Sequence, residues 1–99
     1  QVYIEGEDVR LELHGNLIAW RRIHRGGSLY ISMCGWPSPT TRERLKGVIP
    51  EGLGIGQTEG VQVWRAFEGS DFHEYHEKPL DTNAVYRIDL EKKTIEVVV

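Results

Sequence analysis

The residues best suited to chemistry lie between Glu68 and Glu77, where Asp71, His73, Glu74 and His76 are interleaved. Imidazole and carboxylate bind zinc and manganese, so the stretch is a candidate metal site and hence a candidate hydrolase centre. His73 and His76 are three residues apart, which puts them on one face of a helix but on opposite faces of a strand. No cysteine pair and no separate H-E-x-x-H motif supplies the remaining ligands. A solvated acidic loop accounts for the same residues, and no cofactor is expected. The lone cysteine, Cys34, precedes Gly35 and Trp36. A thiolate nucleophile needs a histidine close in space and a lowered pKa. Nothing in the sequence specifies that pairing, so a half-buried packing cysteine is the expectation.

A second chemistry is suggested by charge. Residues 1–9 carry only acids, Glu5, Glu7 and Asp8, whereas residues 10–46 carry seven basic and two acidic side chains. Residues 47–99 carry five basic and ten acidic ones, so the net charge of −3 hides a basic first half and an acidic second half. Such asymmetry fits an anionic partner or a self-associating dipole, unless folding mixes the charges.

The elements that position these groups are mostly strands. Val9, Leu11 and Leu13 alternate with Arg10, Glu12 and His14, the period of a half-buried strand. A two-residue turn at Gly15-Asn16 pairs Leu13 with Ile18 and Leu11 with Trp20, which places Trp20 in the core. A second turn at Gly26-Gly27 leads into Leu29, Ile31 and Met33. In these registers Arg10 faces Arg21 on the outer side, Tyr30 and Ser32 lie beside them, and Arg25 sits at the hairpin tip. Arg22 then falls on the inner face, so it lies at an edge or a bulge shifts the register. Arginines neutralise phosphates and an exposed tyrosine stacks on a base. Arg10, Arg21, Arg25 and Tyr30, joined by Arg42, Arg44 and Lys46, therefore form a candidate nucleic-acid or anion-binding surface. A solvated face balanced by acids from elsewhere is the alternative.

One short helix is expected over about residues 40–49. Thr40 and Glu43 have capping-box spacing, and Leu45, Val48 and Ile49 form an apolar stripe. Pro50 stops the helix, or Gly47 ends it earlier as a cap. Ser38 competes with Thr40 as the N-cap, with Pro39 suited to the first helical position. The hydroxyls of Thr40 and Thr41, beside Arg42 and Arg44, can cradle a phosphate or carboxylate, although capping alone explains them. Trp36 covers the helix start or is an exposed interface anchor.

Gly52, Gly54, Gly56 and Gly60 are no dinucleotide fingerprint, because its third glycine falls on Glu59. They read as a glycine-rich strand whose bare face admits a close neighbour, turning at Glu59-Gly60 into Val61, Val63, Trp64 and Phe67. Trp64 is expected in the core. Residues 68–83 read as an irregular connection. A last hairpin sets Tyr86, Ile88 and Leu90 against Ile95, Val97 and Val99. Ninety-nine residues suit one domain, 1–99, and a composition 39% hydrophobic and 27% charged is that of a globular chain. No apolar run approaches the roughly 20 residues that span a bilayer, and no signal peptide is visible. The expected fold is α+β: a curled antiparallel β-sheet or small barrel of six or seven strands with one short helix.

The run Gly35-Trp36-Pro37-Ser38-Pro39-Thr40-Thr41-Arg42-Glu43-Arg44-Leu45 resembles a segment of small proteins from tailed bacteriophages and prophages. Their pattern is Gly-Trp-x-Thr-x-Thr-Thr-basic-x-Arg-Leu/Ile-Asn, after an Ile-Ala strand and a hairpin, and Ile18-Ala19 and Leu29 to Met33 stand in those places here. Ser38 replaces the usual threonine and Lys46 the usual asparagine. The resemblance, confined to residues 17–46, implies a phage or mobile-element origin and a host cytoplasm, and it implies no activity. The leading expectation is a non-enzymatic protein that binds nucleic acid or a host protein through a basic face. The alternatives are a small metal-dependent hydrolase using His73 and His76, or a structural subunit that oligomerises through its sheet edges and Trp36.

Overall fold

The computed structural model describes residues 1–22, 27–67 and 75–98. Its strands are β1 (Val2–Glu5), β2 (Asp8–Leu13), β3 (Asn16–Arg22) and β4 (Ser28–Ser32), followed by helix α1 (Pro39–Lys46). Strands β5 (Leu53–Thr58), β6 (Val61–Phe67), β7 (Tyr75–Pro79), β8 (Val85–Asp89) and β9 (Thr94–Val97) complete it. They form a six-stranded sheet in the order β1-β2-β3-β4-β8-β9 and a three-stranded sheet β5-β6-β7. All pairings are antiparallel. The α+β class is as expected, with nine strands among the described residues in two sheets that do not close into a barrel.

Local chemistry explains the corners. His14-Gly15 (φ 52° and 81°) and Glu59-Gly60 (φ 50° and 82°) both place two successive residues in the left-handed region. A tight hairpin turn of the right twist requires that conformation. The first corner is thus centred on His14-Gly15 rather than Gly15-Asn16, and Leu13 pairs with Asn16. The register shifts between Leu11 and Glu12, leaving Ile18 as the extra residue on β3. Ile18 and Ala19 are consequently buried side by side.

The helix and the second sheet are inserted between β4 and β8 and cover the inner face of the large sheet. One buried cluster joins Leu11, Ile18, Ile31 and Ile88 of that sheet to Leu45 of α1 and to Leu53 and Ile55 of β5. Burying each such side chain contributes about 1.5–3 kcal/mol. Trp64 packs against this cluster, as expected. Of the two expected ends the helix takes the earlier: it stops at Lys46 with Gly47 as its cap, short of residue 49, and Val48 and Ile49 lie beyond it. Its N-cap is Ser38, whose Oγ accepts from the Thr41 amide at 3.1 Å, so the Thr40–Glu43 capping box is not used. The 68–83 connection is not wholly irregular, because Tyr75–Pro79 pairs with β6 as β7. The bare face of the glycine-rich strand is filled by Arg65. A Cβ at Gly56 would stand 2.6 Å from its Nη1.

Candidate binding surface

Side chains directly opposite each other in an antiparallel sheet share a face. Tracing the pairs across the large sheet gives one outer row: Tyr3, Arg10, Trp20, Tyr30, Arg87 and Glu96. It crosses all six strands, with the aromatic pair Trp20 and Tyr30 at its centre and an arginine on each side. Trp20 and Tyr30, both half-buried, stack with centroids 5.6 Å apart and planes 7° from parallel. Trp20 therefore does not belong to the core, as the Gly15-Asn16 register would have it. The bulge at Ile18 turns it outward, because the one-residue earlier corner alone would pair it with Val9 and leave it facing in.

The arginines of the row are held by carboxylates. Arg10 lies 3.4 Å from Glu5 and 3.6 Å from Asp8. Its Nε is buried without a hydrogen-bond partner. Arg87 is ion-paired with Glu96. The Tyr3 hydroxyl donates to Glu12 Oε1 at 2.8 Å. That bond, with burial, raises the phenol pKa against the lowering effect of Arg10. Burial acts to lower the Arg10 pKa, but contact with Tyr3 and the charges of Glu5 and Asp8 outweigh it and raise the value. Arg10 remains a cation with its charge answered locally. Beside the row, a cleft of about 380 Å³ is lined by Ser28, Arg87, Asp89, Lys92, Thr94 and Glu96, cations and carboxylates together.

The expected opposition of Arg10 and Arg21 is corrected by these registers. Arg10 pairs with Trp20, and Arg21 pairs with Val9 on the opposite face, where it is exposed. Tyr30 and Arg10 do share a face, with Trp20 between them. Ser32 is buried. At the helix, Thr41 is 2% exposed and its hydroxyl is bonded to Ser38 Oγ at 2.9 Å, so it does not line an open anion cradle. Arg42 donates to Gln62 Oε1 at 3.1 Å and so ties the helix to β6. Thr40, Arg44 and Lys46 are exposed.

Trp36 is 66% exposed, held out by a turn in which its amide bonds Met33 O and the Gly35 amide bonds Thr82 O. It borders a cleft of about 350 Å³ floored by Leu13, Ile18 and Met33. Cys34 is exposed rather than half-buried, because the positive φ of Cys34 and Gly35 swings it out of the strand line. Arg25 and His73, with Glu68, Asp71 and Glu74, lie outside the described residues. His76 pairs with Ala66 through its backbone. Among the described residues no three histidine, cysteine, aspartate or glutamate side chains cluster as metal ligands. No described helix is long and apolar enough to cross a membrane.

Sequence reasoning missed Tyr3, Trp20, Arg87 and Glu96 as members of the surface. Alternation around Tyr86 and Ile88 turns Arg87 outward, but nothing local joins β8 to β4. A family model described as Kyanoviridae Gp96 protein matches residues 1–86, from β1 into β8. No curated protein and no solved structure matches the chain.

Proposed function

The chain belongs to the Kyanoviridae Gp96 family of phage proteins, and we propose that it is a non-enzymatic binding protein of the host cytoplasm that docks another protein through the Trp20–Tyr30 row. The observation carrying this reading is the stacked aromatic pair with an arginine on each side, each arginine already neutralised by a carboxylate. Tryptophan, tyrosine and arginine are the residues that dominate protein–protein hot spots. A polyanion gains affinity when unpaired protein cations displace its counterions into solution, and Arg10 and Arg87 are already ion-paired. The two rings also present one face to each other, leaving less area for a base to stack upon than two separate rings would.

The test uses the chain immobilised beside its Trp20→Ala and Tyr30→Ala variants, exposed to lysate from phage-infected host cells. The reading expects a protein retained by the original chain and weakened roughly 30-fold or more by either truncation. In parallel, a labelled single-stranded oligodeoxythymidine is titrated at low and moderate salt. Tight, steeply salt-dependent oligonucleotide binding that Trp20→Ala abolishes would replace the protein partner with a nucleic acid. Retention unaffected by both truncations would remove the row as the docking surface.

A further inference from the structure

Four of the exposed large aliphatic side chains sit on or beside the two edge strands of the large sheet. They are Val2 (65%) and Ile4 (67%) on β1, and Val97 (59%) and Val98 (40%) at β9. Val2 begins an inner row that runs through Leu11, Ala19, Ile31 and Tyr86 and ends at Val97. The same apolar row therefore surfaces at both edges. Monomeric sheets blunt their edges with short strands, charged side chains (lysine above all), proline or a bulge. β1 and β9 are four residues each with one glutamate, but neither VYIE nor TIEV contains a lysine or proline.

We propose that copies of this chain join head to tail, β9 of one against β1 of the next, extending the sheet. Along the large sheet the strand directions alternate, so β9 and the β1 of an identically oriented neighbour meet antiparallel. Continuing the rows sets Val97 beside Val2, Glu96 beside Tyr3, Ile95 beside Ile4 and Thr94 beside Glu5. Inner apolar residues meet inner apolar residues without a slip. Charge favours this at the corners: the β8–β9 turn carries exposed Lys92 and Lys93 against one acid, Glu91, and the end of β1 that it approaches carries Glu5, which also faces Arg10, and Glu7 of the β1–β2 turn. Because the two surfaces differ, the contact is heterologous and propagates into a ring or a filament. This proposal is independent of the Trp20–Tyr30 row, whose role could fail without affecting it.

Mass is measured by light scattering across a dilution series reaching about 1 mM, the weak end of specific affinity. The unaltered chain is expected to grow in mass with concentration. Ile4→Lys and Val97→Lys place a charge at positions that are already exposed, so circular dichroism should be unchanged. Each variant alone should be monomeric. Mixed in equal amounts they should form dimers and nothing larger, since one retains its β9 edge and the other its β1 edge. An unaltered chain that stays monomeric throughout overturns the proposal and leaves the edges to a different protein. A variant that associates alone points to like-with-like pairing and overturns it too, as does a mixture that stays monomeric.

Discussion

The Trp20 indole and the Tyr30 phenol stack 5.6 Å apart and 7° from parallel across the β3–β4 junction, in line with Arg10 and Arg87. A stack of this kind couples its members by about 0.5–1.5 kcal/mol beyond the area each buries. Urea unfolding of Trp20→Ala, Tyr30→Ala and the double variant should show the double losing less than the two singles together, by that amount. Strict additivity would mean that the rings are neighbours without mutual attraction.

Arg65 lies over Gly56, with its Nε 3.0 Å from Glu77 Oε2 and its Nη2 2.9 Å from Thr58 Oγ1. A methyl at position 56 would occupy the place of the guanidinium. Gly56→Ala should destabilise the fold by about 1–2 kcal/mol, because the displaced arginine loses charge-assisted bonds worth roughly 1.5–3 kcal/mol each while alanine regains some backbone entropy. In an Arg65→Ala background the same change should be neutral or stabilising. Equal cost in both backgrounds would place the strain in the backbone.

The helix start offers two candidate caps and uses one. Ser38→Ala should cost about 1 kcal/mol, since it leaves the Thr41 amide and hydroxyl without their partner. Thr40→Ala, at an exposed first-turn position, should stay within about 0.5 kcal/mol of the original. Thermal unfolding that ranks them the other way would restore the capping box.

Asp89 closes the last hairpin by accepting from the amides of Lys92 (2.9 Å) and Glu91 (3.0 Å). The Lys92 amide does most to hold its carboxyl below the ordinary 3.8, against opposition from burial, with the Glu91 amide adding to the effect. A depressed folded-state value means that the ionised carboxylate stabilises the fold fully above 3.8, and that this is lost as pH falls through the lower folded value. The Tm difference between the original chain and Asp89→Ala should be constant from neutral pH to about pH 5 and close below 3.8. A gap that persists at pH 2 would assign the effect to turn geometry alone.

Much of the fold was legible because strand chemistry is local. Leu29, Ile31 and Met33 alternate with polar neighbours and are buried as that alternation requires. The final hairpin pairs Tyr86 with Val97 and Ile88 with Ile95 as its pattern demands. The binding surface was less legible. Tyr30 could be placed outward from its own strand, but Trp20 could not. The extra residue at Ile18 decides its side, and nothing in the local sequence marks a bulge there. β7 escaped notice because Tyr75–Pro79 is polar, and its place in the small sheet comes from pairing with β6.

Residue order alone determined that the chain turns at Gly15 and Gly60, that the alternating apolar runs are strands and that a short helix follows Trp36, because turn and helix-end preferences act within a few residues. Tertiary structure alone decided which side chains share a face. Side chains in a strand repeat every second residue, so a one-residue shift moves Trp20 from the interior to the outer row and parts Arg21 from Arg10. It also decided that Arg10 meets Glu5 and Asp8, and that Arg87 stands beside Tyr30. The second meeting depends on how strands far apart in the chain align, a choice settled by total burial and not by neighbouring residues.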